Sequence, residues 1–166
     1  VVTLLGLPLA LATLAAAPAD EPVIDHQPIT CTLPEKHPRL CTYVADDGEV
    51  KRARVYFRAK GQEAFYWTDM IFDGIQYCVT LPAPKKGVQA IEYYLWAVDD
   101  SFTSQRTRTF ELSFLPSGCD YPVFDEDPER TSKIIVNATS EKQGKKIEGF
   151  SDQGILHFNP VEKRKK

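Results

Sequence analysis

The stretch Ala90-Ile91-Glu92-Tyr93-Tyr94-Leu95-Trp96-Ala97-Val98-Asp99-Asp100 decides the fold. Side chains alternate across a strand, so Ile91, Tyr93, Leu95 and Ala97 share one face and Glu92, Tyr94, Trp96 and Val98 the other. A strand apolar on both faces belongs in the middle of a sheet. Asp99 and Asp100 end it where a turn begins. Nothing in it is a nucleophile, a metal cluster or a phosphate cradle.

Working outward, the chain reads as six further short strands separated by turn chemistry. They are expected at residues 28–33, 39–45, 50–59, 65–70, 75–81 and 106–114. Between them stand Pro34 to Pro38, Asp46-Asp47-Gly48, Lys60-Gly61-Gln62, Phe72-Asp73-Gly74, the Pro-rich run from Pro82 to Gly87, and the polar run from Ser101 to Gln105. Asp-Gly between strand-like runs is a strong hairpin signal, and prolines are kept out of central ladders. The third strand alternates cleanly, with Ala53, Val55 and Phe57 against Arg52, Arg54, Tyr56 and Arg58, which predicts a sheet packed on one face and wet on the other. Seven such strands at intervals of about ten residues predict an all-β, immunoglobulin-like sandwich.

Three runs carry a resemblance: VADDGEVKRARVYFRAKG from Val44, with Met70 following, GIQYCVTLPAP from Gly74, and IEYYLWAVDD from Ile91. Together they resemble the fibronectin type III and related immunoglobulin-like modules of exported bacterial proteins. The likeness spans roughly residues 26 to 114. It implies a seven-strand sandwich and brings no catalytic residues with it. The four cysteines and everything beyond Pro116 depart from the pattern.

At the start of the chain, the Leu- and Ala-rich run ending in Ala17-Pro18-Ala19 reads as the apolar core and cleavage site of a secretory signal, without its initial Met and basic segment. Residues 1–19 are therefore assigned to a signal and 20–115 to the sandwich, with no membrane span expected after cleavage. Residues 116–166 form a C-terminal extension, with an acidic linker from Asp125 to Glu129 and strand-like segments at 133–139 and 154–158 that predict a β-hairpin. The basic end from Lys163 is expected to fray. The location implied is periplasmic or extracellular.

The composition excludes some classes of function. Net charge is −3, from 20 Lys and Arg against 23 Asp and Glu, with the signs interspersed, so nucleic acid is not an expected partner. Cys31, Cys41, Cys78 and Cys119 lack the paired spacing of zinc ligands, and an even number in an exported chain predicts two disulfides. Two pairings compete. Cys31 with Cys41 across the Pro-bounded turn, leaving Cys78 to clamp Cys119, is preferred. Cys41 with Cys78, facing outward on neighbouring strands, and Cys31 with Cys119 is the rival.

Two clusters are candidate sites. Asp46, Asp47, Asp99 and Asp100 end the second and sixth strands at one pole, where they are candidate calcium ligands or plain turn caps. Arg54, Tyr56, Arg58, Tyr94 and Trp96 fall on the outer face of the sheet holding the third and sixth strands. Exposed Trp, Tyr and Arg are the residues that stack on sugars or anchor protein partners. The alternative is that they are ordinary packing, covered by the C-terminal extension or packed across neighbouring strands. Asn137-Ala138-Thr139 matches a glycosylation sequon and is read as coincidental, because the module resembles bacterial ones. No G-x-S-x-G or H-E-x-x-H motif organises a catalytic group, and no cofactor is expected. The function expected is an exported binding or scaffolding module without catalysis, whose partner is a protein or glycan of the cell envelope. The alternatives are a carbohydrate- or peptidoglycan-binding module, an accessory subunit of an envelope complex, and a hydrolase whose site the sequence does not display.

Overall fold

In the computed structural model, which describes residues 20–162, the Ala90–Asp99 strand lies inside an eight-stranded sheet, flanked on both edges. In chain order the strands are β1 (Val23–Asp25), β2 (Cys31–Thr32), β3 (His37–Ala45), β4 (Val50–Ala59), β5 (Tyr66–Asp69), β6 (Ile71–Phe72), β7 (Tyr77–Thr80), β8 (Ala90–Asp99), β9 (Ser104–Arg106), β10 (Phe110–Phe114), β11 (Phe124–Asp125), β12 (Ile134–Ala138) and β13 (Ile155–Asn159). A single turn of helix, α1 (Pro128–Thr131), sits between β11 and β12. The signal assigned to residues 1–19 and the basic end at 163–166 lie outside the described residues.

The molecule is all-β, with two sheets. The larger runs β13-β12-β5-β4-β8-β10-β2, with β9 also pairing β8. The smaller runs β1-β3-β7-β6, with β11 pairing β3. The alternation read from the sequence holds in β4 and β8. Ala53, Val55, Phe57, Ile91, Tyr93, Leu95 and Ala97 are buried, and the residues between them are half-buried or exposed. Leu40 and Leu81, both fully buried, join the same core from the β3–β7 side.

Several expectations are corrected. The first strand, expected at 28–33, is reduced to β2, and β1 forms before it where no strand was expected, because the chain changes sheets: β1 pairs antiparallel with β3, and β2 pairs parallel with β10. That switch also overturns the preferred disulfide pairing. It puts Cys31 at the edge of the larger sheet and Cys41 in the smaller, whereas Cys41 and Cys78 face each other in the β3–β7 register. The bonds are Cys41–Cys78 and Cys31–Cys119. The seventh strand is interrupted at Thr107, whose side-chain oxygen accepts the Leu95 N–H in place of a ladder carbonyl. The strand expected from residue 75 starts at Tyr77, because the Asp73 carboxylate accepts the N–H groups of Ile75 and Gln76 and holds them in a turn.

The extension is part of the core. Strand β12 extends the larger sheet by pairing with β5, so Ile134 and Val136 are buried, and Phe150 stands edge-on to Phe57 with ring centroids 5.2 Å apart. No hairpin forms, because β12 and β13 pair in parallel and are joined by a long excursion that itself packs inward. Within that excursion Gln143 is buried. Its side-chain oxygen accepts the N–H groups of Thr139 and Ser140, and its amide donates to the Phe65 carbonyl. At Gly149, with φ of +81°, a Cβ would come within 2.5 Å of Ala59, so the close approach of the tail to β4 requires glycine. The acidic linker is not extended chain. Asp125 closes β11, and Asp127 caps α1 by accepting the Glu129 N–H at 2.8 Å.

Candidate functional site

The outer face of the larger sheet assembles the aromatic and arginine residues that the alternation singles out. In register across β12, β5, β4 and β8, Asn137 faces Trp67, Trp67 faces Tyr56, and Tyr56 faces Tyr94. A parallel row brings Asp69 to Arg54, Arg54 to Trp96, and Trp96 to Arg106 on β9. Arg58 faces Glu92 in the next row. All five predicted face residues are therefore neighbours, and the sheet adds Phe65, Trp67 and Arg106. The sequence does not single out Trp67 and Phe65 as face residues because their strand is short and carries aromatic rings on both faces, so its alternation does not say which side is wet.

The side chains form a closely stacked file. Tyr56 and Tyr94 are parallel, with centroids 4.7 Å apart, and Phe65 meets Tyr94 edge-on at 5.1 Å. Guanidinium groups lie over the rings: Arg54 is 3.8 Å from the Trp67 centroid and 5.4 Å from that of Trp96, Arg58 is 4.2 Å from Phe65, and Arg106 is 5.0 Å from Tyr94. Contacts of this kind are attractive because the ring quadrupole is negative at its face. Arg54 donates to Asp69 at 2.9 Å and Arg58 to Glu92 at 2.7 Å, so these two cations are fixed from both sides. Burial, then the neighbouring Tyr56, raises the Tyr94 phenol above its ordinary range despite the opposing Arg106. The five predicted residues of this face are half-buried. The extension adds β12 and β13 at the sheet's edge and sends Phe150 and Ile147 into the core.

At the pole, the four aspartates do not converge on one point. Asp99 is buried and accepts from the Thr103 N–H at 2.7 Å and from the Ser101 hydroxyl at 2.9 Å. Asp46 accepts the Gly48 N–H at 2.9 Å, and Asp100 comes near it, since a Cβ on Gly48 would lie 3.0 Å from Asp100 Oδ1 and 3.3 Å from Asp46 Oδ1. Asp47 is exposed on the same turn. Among the described residues no three carboxylate, histidine or cysteine side chains form a metal-holding group. Asp46 and Asp99 cap their turns by accepting backbone N–H groups.

Two polar centres that the sequence did not single out bind the fold together. Buried Asp125 receives two hydrogen bonds from Arg130, at 2.7 and 2.9 Å, one from Arg39 at 3.3 Å, one from the Asp127 N–H, and one from the Thr80 hydroxyl. Burial alone would raise this carboxyl, but the bonds from Arg130, Thr80 and Asp127 outweigh it and hold it well below the usual carboxylate range. His26 links the two sheets. Its Nδ1–H donates to the Cys41 carbonyl at 3.0 Å, and its Nε2 accepts from the Tyr93 hydroxyl at 2.9 Å. Burial lowers the His26 pKa against the opposing effects of the Cys41 carbonyl and Asp25, and burial pushes the Tyr93 phenol up to about 12.

The two disulfides belong to an oxidising, extracytoplasmic environment. Among the described residues no helix is long and apolar enough to cross a membrane. No protein-family model and no curated protein matches this sequence, so the stacked aromatic face and the two polar centres carry the functional argument alone.

Proposed function

We propose that the chain is a non-catalytic, extracytoplasmic binding module of immunoglobulin-like type that engages a protein partner of the cell envelope through the outer face of its larger sheet. Strand order supports the fold assignment. In the usual lettering β1, β3, β7 and β6 take the places A, B, E and D, while β5, β4, β8 and β10 take C′, C, F and G. The extra strands β12 and β13, and a disulfide within one sheet instead of between two, are additions to that plan. Asp125 and His26 direct their hydrogen bonds to joining elements of the fold, which supports binding over catalysis. A periplasmic or secreted location accords with the disulfides.

The observation that carries the reading is the Trp67–Tyr56–Tyr94 file with arginines laid over it. A sugar ring needs an open aromatic face to stack on. Tyr56 and Tyr94 cover each other, Trp67 lies beneath Arg54, and Tyr94 has Arg106 beyond it. What remains is a surface of ring edges and guanidinium groups, fixed by stacking and ion pairs within the sheet. Rigid aromatic and arginine groups dominate protein–protein hot spots because little entropy is lost in ordering them.

The test compares wild type with a Trp96→Ser/Arg106→Glu double variant and with Tyr43→Ser on the smaller sheet. Each is used to capture proteins from envelope extract and applied to a panel of envelope glycans. The expected result is a protein captured by wild type and Tyr43→Ser and lost from the double variant. Equal capture by all three refutes the assignment of this face, and saturable glycan binding that the double variant loses would replace the protein partner with a sugar.

A further inference from the structure

Between the β6–β7 edge of the smaller sheet and β12 of the larger lies a cleft of about 520 Å³, walled at one end by α1. Its volume falls within the range of clefts that hold small organic ligands, about 300 to 1,000 Å³. Buried Val79 and Ile134 line it together with the more exposed Ile71 and Ile135, so it has an apolar floor and an apolar rim.

The charged groups around it differ in how far they are already engaged. Asp69 is paired with Arg54 at 2.9 Å, and the Asp73 carboxylate accepts the N–H groups of Ile75 and Gln76 at 3.0 and 2.9 Å. Arg130 is held by Asp125 and Asp127 together. Arg39 uses only Nη1, toward Asp125, so its Nε and Nη2 have no hydrogen-bond partner among the described residues. Lys133 forms no ion pair with them either, and its position beside Ile134 puts it on the cleft wall. Two acids of the lining make no ion pair, Glu129, exposed on α1, and Asp73, whose carboxylate feels the Arg39 charge while accepting the backbone N–H groups of its own turn. Buried Asp125 anchors the Arg39 guanidinium in advance, which is how a binding site lowers the ordering cost of recognition.

We propose that this cleft binds a small amphipathic carboxylate, its apolar body lying along Ile71, Val79 and Ile134 and its carboxylate meeting Arg39 and Lys133. A guanidinium edge with free N–H donors suits a planar carboxylate, and the ammonium adds a second charge-assisted bond. This site is separate from the outer-face reading, sharing with that surface only Asp69 and Asn137.

The test titrates decanoate into the disulfide-intact protein and follows amide chemical shifts, with decylamine as the charge-reversed control. The expected result is saturable binding in roughly the millimolar range, as suits a ligand of a dozen heavy atoms, with shifts concentrated at Ile71, Val79 and residues 133–135. Lys133→Glu, a surface change that leaves the core intact, should weaken decanoate about three- to tenfold. Arg39→Gln should weaken it as well, with the far-shifted amides of the β4–β8 pair unmoved. Binding of decylamine as tight as that of decanoate, unchanged affinity in both variants, shifts scattered away from the cleft, or no saturation would each overturn the proposal.

Discussion

Replacing Phe150 by Ala tests whether the C-terminal extension is part of the folding unit. The side chain is fully buried, meets Phe57 edge-on at 5.2 Å with an interplanar angle of 88°, and its backbone bridges to Pro84. Removing a buried Phe costs its transfer free energy plus that of the cavity left behind, about 3 to 5 kcal/mol, and the lost edge-to-face contact places this site toward the upper part of that range. For a chain of this size the melting temperature should fall by roughly 10 to 15 °C. In urea, with a slope near ~2 kcal/mol/M, the midpoint should fall by about 2 M with the slope unchanged. Leu156→Ala is the control, because Leu156 is 62% exposed on β13 and should change stability by less than ~1 kcal/mol. If Phe150→Ala behaves like Leu156→Ala, or if wild type unfolds in two separate transitions, the extension is a separate unit and the shared core is wrong.

Four further outcomes are expected. Leu95→Ala should cost about 2 to 5 kcal/mol in urea melts, since Leu95 is 1% exposed, and Trp96→Ala distinctly less because Trp96 is only half-buried; equal losses would mean that the outer face is covered. His26 has a lowered pKa in the folded state, so the unfolded chain binds more protons just below the ordinary histidine value; stability should decline as pH falls from about 6.5 toward 5, and a His26→Gln variant measured over that window should lose this slope. Asp125 has a depressed pKa, so its contribution is complete above the ordinary carboxylate value and fades as pH falls below it; Asp125→Ala should cost about 2 to 3 kcal/mol at neutral pH, because Arg39 loses its partner while Arg130 keeps Asp127 and both guanidinium groups still reach water, and a loss under ~1 kcal/mol in thermal melts would remove the node from the account. The Cys31–Cys119 bond closes a sequence separation of 88, so a Cys31→Ala/Cys119→Ala variant should lose about 4 to 5 kcal/mol by chain entropy, and a non-reducing peptide map that links Cys31 to Cys41 would contradict the fold.

What the sequence determined by itself is whatever local alternation and turn chemistry specify. The bounds of β4 and β8, the inward set Val55, Phe57, Ile91, Tyr93 and Leu95, and the placing of Tyr56 and Tyr94 on the opposite face follow from a period of two in long strands bounded by Asp-Gly and Asp-Asp. Tertiary structure alone decided the rest. Cys31 pairs with Cys119 because β2 leaves the sheet of β3, a switch that no periodicity in two residues can encode. Strands β12 and β13 run in parallel because residues 139–154 are held inward by Gln143, Ile147 and Phe150, whose partners stand some sixty to ninety positions away in the chain. Asp125 reads as one more acid in a charged linker until folding brings Thr80 and Arg39 to it. Each of these depends on contacts between distant segments, where burial and hydrogen-bond satisfaction are settled by the whole chain at once and local sequence carries no record of the partner.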